Sequence, residues 1–345
     1  MYQIIEDTQA DFASGTLTNV VATAAGDLEL AALPGLYFDG VDDHVAVPNH
    51  AGLQFGTGSF TLEAIIRLDA YGSKTSTIIS KRQQNEPGLP QFKFSVTSSG
   101  ELQLNTYYNA DSIIKSPPGL IAPGNVYHVA AVRDANGQHT LLINGQVVAQ
   151  ATLTVRNVTN NQPLWFGDDN RDNYSTPYGP HMFKGIITEV RVWNRSRTPA
   201  EIQNDMFTQL SGTENGLVGY WPLRDGSGTT VYDLSPGTAN GTVYSAATPS
   251  STWVEGILRN AAGSRTSPTL DLSPVGTAAG SSISWNATTP ASTSLTVETS
   301  LDGGTTWQAC TNGGAIPGVN GNDMTGKSLL VRQTLSTSDT TVTPQ

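Results

Sequence analysis

The chain has 345 residues, 37% of them hydrophobic and only 14% charged, with a formal net charge of -11. This length accommodates two domains of ordinary size and excludes a single small module, while an acidic balance with no offsetting Lys/Arg cluster excludes an electrostatic grip on nucleic acid or anionic lipid. Its one cysteine, Cys310, excludes a disulfide within the chain, and no run approaches the roughly 20 apolar residues that a membrane span requires.

The opening segment MYQIIEDTQADF has neither the basic nor the apolar stretch that directs export. The expectation is therefore release by lysis, assembly into a larger particle, or a signal outside this sequence. Residues 11–31, DFASGTLTNVVATAAGDLELA, read as an amphipathic strand pair. From about Leu36 to Trp253, apolar and polar positions alternate through LYFDG, DHVAVP, FTLEAIIRL, STIISKR, QFKFSV, ELQLNTYY, YHVAAVRD, HTLLING, QVVAQATL, PLWFGD, GIITEVRVW and GLVGYWPL, with Gly, Asn-Gly or Pro between most of them. So many period-two segments predict two packed antiparallel sheets. TPAEIQNDMFTQL predicts a short surface helix, because Thr198 can cap it, Pro199 suits its first turn and Glu201 completes a capping box. From Gly263 the chain becomes Ser/Thr-rich, yet SRTSPTLDLSPVG, SISWNATTP, SLTVETSLDGGTTWQ and KSLLVRQTLS keep the alternation and predict further folded β-structure. Trp193 and Trp221 are expected in the larger core, Trp285 and Trp307 in the smaller one, and Cys310 as a buried apolar residue.

In chain order, YFDGVDDHVAVP, SFTLEAIIRLD, IISKR, VYHVAAVRD with LLINGQVV, FKGIITEVRVWNRSRTPAEI and GLVGYWPLRDGSGTTVYDLSPGTANGTV resemble the laminin-G-like jelly rolls of the concanavalin-A-like lectin/glucanase superfamily. The resemblance implies an all-β protein: a two-sheet antiparallel jelly-roll sandwich over residues 34–254, accompanied by a second, smaller β-sandwich. The terminal stretches GTLTNV…GDLEL and SRTSP…DLS resemble a small sandwich of bacteriophage structural and tail proteins, where they follow one another directly. The two likenesses together imply that residues 1–33 and 255–345 form one discontinuous sandwich with the jelly roll inserted, an arrangement tolerated when the guest's termini lie close together. Two separate terminal pieces are the alternative. One position departs from the family, which usually carries Asp-Glu before the Val-Arg strand, where this chain has Thr188-Glu189.

Two clusters could bind ligands. Asp39, Asp42 and Asp43 share a turn with Gly40, and hard oxygens on a turn suit Ca²⁺, which takes about six to eight of them. Asp-rich turns also cap themselves through their own backbone. The resemblance implies structural calcium near this turn and the strand holding Glu189, with Thr188 removing one ligand. The second cluster is GDDNRDNYSTPYGPHM, residues 167–182; unpatterned stretches longer than about 12 residues are usually functional or disordered. Asp168, Asp169, Asn170 and Asp172 could accept hydrogen bonds from sugar hydroxyls or hold calcium, and Tyr174, Tyr178 and His181 supply rings for a sugar's apolar face. Tyr107, Tyr108 and Asn109 form a smaller patch of the same chemistry. A solvated loop with locally packed tyrosines is the plainer alternative.

Catalysis finds little support. Glycoside hydrolysis needs two carboxyls about 5 to 9.5 Å apart, and no Glu-x-Asp-x-x-Glu strand of the superfamily's hydrolases occurs here. Glu63 and Glu189 stand alone among apolar neighbours. His44, His50, His128, His139 and His181 show no metal-binding spacing and accompany no nucleophile elbow; His128, alternating with valines, reads as a structural histidine. The expectation is a non-catalytic protein that recognises carbohydrate or a host cell-surface receptor as part of a phage tail, fibre or similar extracellular particle, in company with other virion proteins. A purely structural virion subunit is the alternative, and a glycoside hydrolase the third reading. A homo-oligomer suits a fibre protein, though no heptad stretch enforces one.

Overall fold

The computed structural model describes residues 3–82, 89–169, 181–245 and 252–345. It divides into one unit formed by Met1–Leu33 with Leu258–Gln345 and another formed by Pro34–Ile257.

The larger unit is an antiparallel jelly-roll sandwich. Its first sheet runs Gln146–Thr152, Gln138–Ile143, Val126–Arg133, Phe60–Leu68, Lys184–Trp193, Ala32–Asp39 and Trp253–Arg259, with Leu217–Trp221 also paired to Lys184–Trp193. The second runs Asp111–Lys115, Leu102–Tyr107, Gln91–Thr97, Thr75–Lys81, Leu164–Phe166, His44–Val47, Gly241–Tyr244 and Thr230–Val231. Alternation along each strand decides what faces inward. Phe60, Leu62, Ala64, Ile66 and Leu68 of the first sheet share one buried core with Phe92, Phe94, Val96, Leu102 and Leu104 of the second. Each large side chain so buried contributes roughly 1.5–3 kcal/mol relative to exposure. The intervening residues face outward and carry the polar chemistry. The helix Pro199–Asp205 forms as its sequence predicts, with the Thr198–Glu201 capping box and Pro199 in the first turn. It packs Ile202 against Ala130, Val132 and Leu142 on the outward face of the first sheet.

In the smaller unit, Thr16–Thr18 pairs with Ala262–Thr266, which continues through Ser328–Thr337 and Thr293–Ser300 to Gln308–Ala309. Buried Arg265 holds the N-terminal segment to this sheet, donating to the Glu6 carboxylate and to the carbonyls of Asp11, Phe12 and Ser14.

Several expectations need correction. Asp11–Ala13 belong to a short helix, Gln9–Ala13, because a Thr8–Asp11 capping box closes its first turn; the strand pair is confined to Val20–Ala22 and Leu28–Leu30. Trp285 and Trp307 are only half-buried, and so is Cys310. The small cores consist instead of Leu272, Ala278, Val319, Met324 and Leu329, and of Val20, Leu28, Leu30 and Leu335, while the Trp307 ring receives the Arg332 guanidinium at 4.2 Å. Trp221 lies in the large core, but Trp193 packs with Leu210, Leu217 and Tyr220 on the outward side of the first sheet.

Candidate functional site

The outward face of the first sheet is a buried charge network. Arg191 pairs in register with Glu63, which brings residues far apart in sequence side by side. Glu63 accepts from Arg197 Nη1 at 2.8 Å and from His128 Nε2 at 3.2 Å. Burial alone pushes the Glu63 carboxyl up, but the His128 hydrogen bond and charge, with the Arg197 and Arg191 charges, more than offset this and hold it at about 2. Arg197 also grips Asp205 at 2.6 Å, tying the helix to the sheet. A bulge at Thr188/Arg191, with Glu189 in the left-handed region (φ 53°), turns Glu189 to this same face. There it accepts from Arg191 at 2.7 Å and Tyr220 Oη at 2.9 Å and pairs with Arg224 at 2.9 Å. Neither glutamate is alone, contrary to the sequence expectation: their partners are supplied by the neighbouring strands and the helix segment. Both are matched by cations, and the lowered pKa of Glu63 is the opposite of what a general acid requires.

The outward face of the second sheet is built differently. Register sets Asn105 opposite Lys93, Lys93 opposite Ser80, Ser80 opposite Trp165 and Trp165 opposite Ala46; in the next row Gln103, Ser95 and Thr77 are neighbours. Apart from Lys93 this strip is neutral. Among the described residues, Thr77 Oγ1, Ser95 Oγ, Asn105 Oδ1 and Trp165 Nε1 are buried with no hydrogen-bond partner, whereas buried polar groups are normally satisfied. The two described ends of the 167–182 stretch are fastened here. Asp169 pairs with Arg82 at 3.1 Å and Lys93 at 3.5 Å, the Asp168 carbonyl accepts from Ser80 Oγ, and His181 Nδ1 lies 2.6 Å from Thr75 Oγ1. Towards one edge, Arg82 donates to Gln91, which pairs in register with Tyr107. Towards the other, the rings of Trp165 and His44 stack at 4.3 Å, and those of His44 and Tyr244 at 4.9 Å. Burial lowers the His44 pKa, so its ring is neutral at physiological pH.

Where the sequence placed candidate ligands, the structure distributes them. Tyr107 sits on the outward face, while Tyr108 and Asn109 are exposed at the tip of the hairpin that follows, with Asn109 at φ 58°. Asp168, Asp169 and His181 are brought to the same sheet but are buried as anchors. Asn170, Asp172, Tyr174 and Tyr178 lie outside the described residues. Asp39, Asp42 and Asp43 converge, with carboxylate oxygens within 4.8 Å of one another. Glu189 is not among them: Asp39 pairs with Lys184, five positions back along the strand, and the Glu189 carboxylate is held by its arginines. Sequence reading missed Thr77, Ser95, Trp165, His44 and Tyr244. The alternation in QFKFSV and PLWFG already placed Ser95 and Trp165 on the non-core face, whereas Thr77 precedes two consecutive core residues, Ile78 and Ile79, at a bulge, and register alone shows that the three share a face.

Residues 39–203 match the model of a laminin G family described as the concanavalin A-like lectin/glucanases superfamily, and this part of the chain is a domain of that superfamily. None of the curated proteins matches the chain. Among solved structures, it is similar to a Bacteroides ovatus protein described as a candidate carbohydrate binding protein, at 23% identity and a TM-score of 0.49, over 63% of this chain and 59% of that one, short of two thirds of its length. It is also similar to a heptameric SAP-like pentraxin from Limulus polyphemus (17% identity, TM-score 0.38, 50% of this chain and 81% of that one). A third is the CBM40 of a Ruminococcus gnavus sialidase bound to α2,3-sialyllactose (14% identity, TM-score 0.39, 51% and 96%).

Proposed function

We propose that the chain is a non-catalytic glycan-binding protein that receives its ligand on the outward face of the second sheet. The observation that carries this reading is the juxtaposition, on one face, of a stack of rings and a neutral hydroxyl and amide strip in which Asn105 and Trp165 are partly exposed, while the unsatisfied Thr77 and Ser95 hydroxyls are buried and are reached only by displacing what covers them. Sugars need that pairing: their hydroxyls seek donors and acceptors, and their C–H faces seek flat apolar surface. A setting on a phage tail, fibre or other extracellular particle extends the proposal, resting on the likeness of the terminal segments.

Structural calcium at Asp39, Asp42 and Asp43 belongs to the same proposal. Asp39 Oδ1 accepts from the Val41 and Asp42 N–H groups, and Asp43 Oδ2 from the Asp39 N–H, so these two oxygens fold the turn. Asp43 Oδ1 is buried with no partner, which fits an oxygen-seeking cation whose remaining ligands are water or carbonyls. Such an ion would brace the turn that leads into His44.

A glycan array followed by titration calorimetry tests the reading. The wild-type chain is expected to bind specific oligosaccharides, and Thr77→Val and Ser95→Ala to weaken that binding while leaving the melting temperature unchanged or higher, because each deletes a buried unsatisfied hydroxyl. No binding at millimolar sugar would favour the architectural alternative. Release of new reducing ends would establish a hydrolase.

A further inference from the structure

The ring stack on the second sheet has one free end. Its three members come from three neighbouring strands: Trp165 from Leu164–Phe166, His44 from His44–Val47 and Tyr244 from Gly241–Tyr244. The rings lie nearly parallel, at 22° and 12°. Among the described residues His44 is therefore covered on both faces and Tyr244 on one, and Tyr244 is 49% exposed. The next strand supplies no cover. Thr230 pairs with Thr242 and the Val243 N–H donates to the Thr229 carbonyl at 2.7 Å, but the strand ends at Thr230: Gly228 turns at φ 77° and its carbonyl accepts from the Trp253 indole at 2.9 Å. A Cβ added at Gly228 would meet no atom within 4 Å. Among the described residues no ring covers the second face of Tyr244, while its inner face is braced by two further rings.

We propose that this face of Tyr244 is a stacking subsite for the C–H face of a neutral pyranose, at one end of the glycan site; the assignment rests on the glycan-binding reading. A braced ring loses little rotamer freedom on binding, which favours a rigid aromatic platform. The exposed hydroxyls of Thr242 and Thr230 stand beside it in register, within the reach of sugar hydroxyls. Neutrality follows from the surroundings. His44 Nδ1 is bonded to the Asp42 carbonyl oxygen at 2.9 Å, so the stack rises directly from the turn where three carboxylates lie within 4.8 Å of one another. Even a divalent cation held there leaves that turn with a net negative charge, and a carboxylated sugar at Tyr244 is repelled.

The test uses the full chain and matched neutral and carboxylated oligosaccharides. Tyr244→Ala is expected to weaken the preferred neutral ligand about tenfold or more, and Tyr244→Phe to stay within about threefold of wild type, since the ring face and not the hydroxyl binds. Upfield ring-current shifts of the bound sugar's C–H protons, lost in Tyr244→Leu, report the stacking independently of affinity or of any change in stability. Unchanged affinity and shifts in Tyr244→Ala and Tyr244→Leu, alongside weakened Thr77→Val, overturn the subsite and leave the glycan site standing. Preference for the carboxylated sugar overturns neutrality, and a wild type that binds no sugar overturns both.

Discussion

The two outward faces of the jelly roll treat polar groups in opposite ways. On the first sheet, the buried acids Glu63 and Glu189 each meet guanidinium groups, with His128 and Tyr220 completing the set, and a helix closes over them. Stray donors such as His128 Nδ1 and Trp193 Nε1 remain there too, but charge is matched by charge. On the second sheet the strip between Gln103 and Trp165 is mostly neutral, and among the described residues the Thr77 and Ser95 hydroxyls are left without partners. The two faces are therefore suited to different tasks. Matched buried charges fix a geometry, because removing either partner strands the other; unsatisfied neutral groups cost less to bury and can take hydrogen bonds from an incoming ligand.

Breaking a matched pair gives the largest expected effect. Arg197→Ala leaves Glu63 with His128 as its one hydrogen-bond partner among the described residues and frees Asp205 from its shortest ion pair, so it should destabilise the protein by about 3–5 kcal/mol in urea unfolding. Lys115→Ala, which breaks the partly exposed Lys115–Glu101 pair, should cost no more than about 1 kcal/mol. Equal costs would erase the contrast between matched and surface charge. The sign in acid follows from Glu63: its folded pKa of about 2 lies below the ordinary 4.5, so its contribution is complete above pH 4.5 and is lost as the pH falls towards 2.

Sequence made the core legible and left these partnerships hidden. In FTLEAIIRL the alternation alone assigns Phe60, Leu62, Ala64, Ile66 and Leu68 to one face, and they are core residues. The Thr198 capping box was equally local and equally readable. Glu63 and Arg197 are 134 residues apart and meet because Lys184–Trp193 is the sheet neighbour of Phe60–Leu68; no periodicity within either segment carries that information. The stack of Trp165, His44 and Tyr244 was hidden for the same reason, since each ring lies on a different strand. The loop residues Asp168, Asp169 and His181 drew attention by composition, which marks polar chemistry but does not reveal burial.

Lys81 sharpens the contrast from within the second sheet. Its fully buried ammonium donates to the Asn160 carbonyl and to Asn160 Oδ1 at 3.0 Å, and no acid pairs with it among the described residues. Burial brings its pKa down to about 8 from 10.5. Below pH 8 the folded and unfolded chains both carry this proton and the folded state bears the desolvation cost. Between pH 8 and 10.5 only the unfolded chain keeps it, so stability rises with pH, by up to about 3 kcal/mol. Denaturation midpoints of wild type and Lys81→Met across that range check the effect: the difference between them should shrink as the pH rises, and a constant difference would show that Lys81 is not held in a depressed state.

A smaller effect is expected at the acidic turn that joins Ala32–Asp39 of the first sheet to His44–Val47 of the second, where like charges gather and a cation would offset them. If a divalent ion takes that part, calcium at ten times its dissociation constant stabilises the folded chain by about 1.4 kcal/mol, a rise of about 3 to 5 °C in melting temperature for a unit of this size. Asp43 is the residue to change, because burial pushes its carboxyl pKa up and Oδ1 has no partner. Without calcium, Asp43→Asn removes a charge that the fold disfavours, so the variant should melt at or above wild type in chelator. With calcium the order reverses, since the wild type gains the ion and the variant does not. A wild type indifferent to millimolar calcium, or a variant that responds equally, would mean that the turn is held by its own backbone hydrogen bonds and that its carboxylates repel one another unaided.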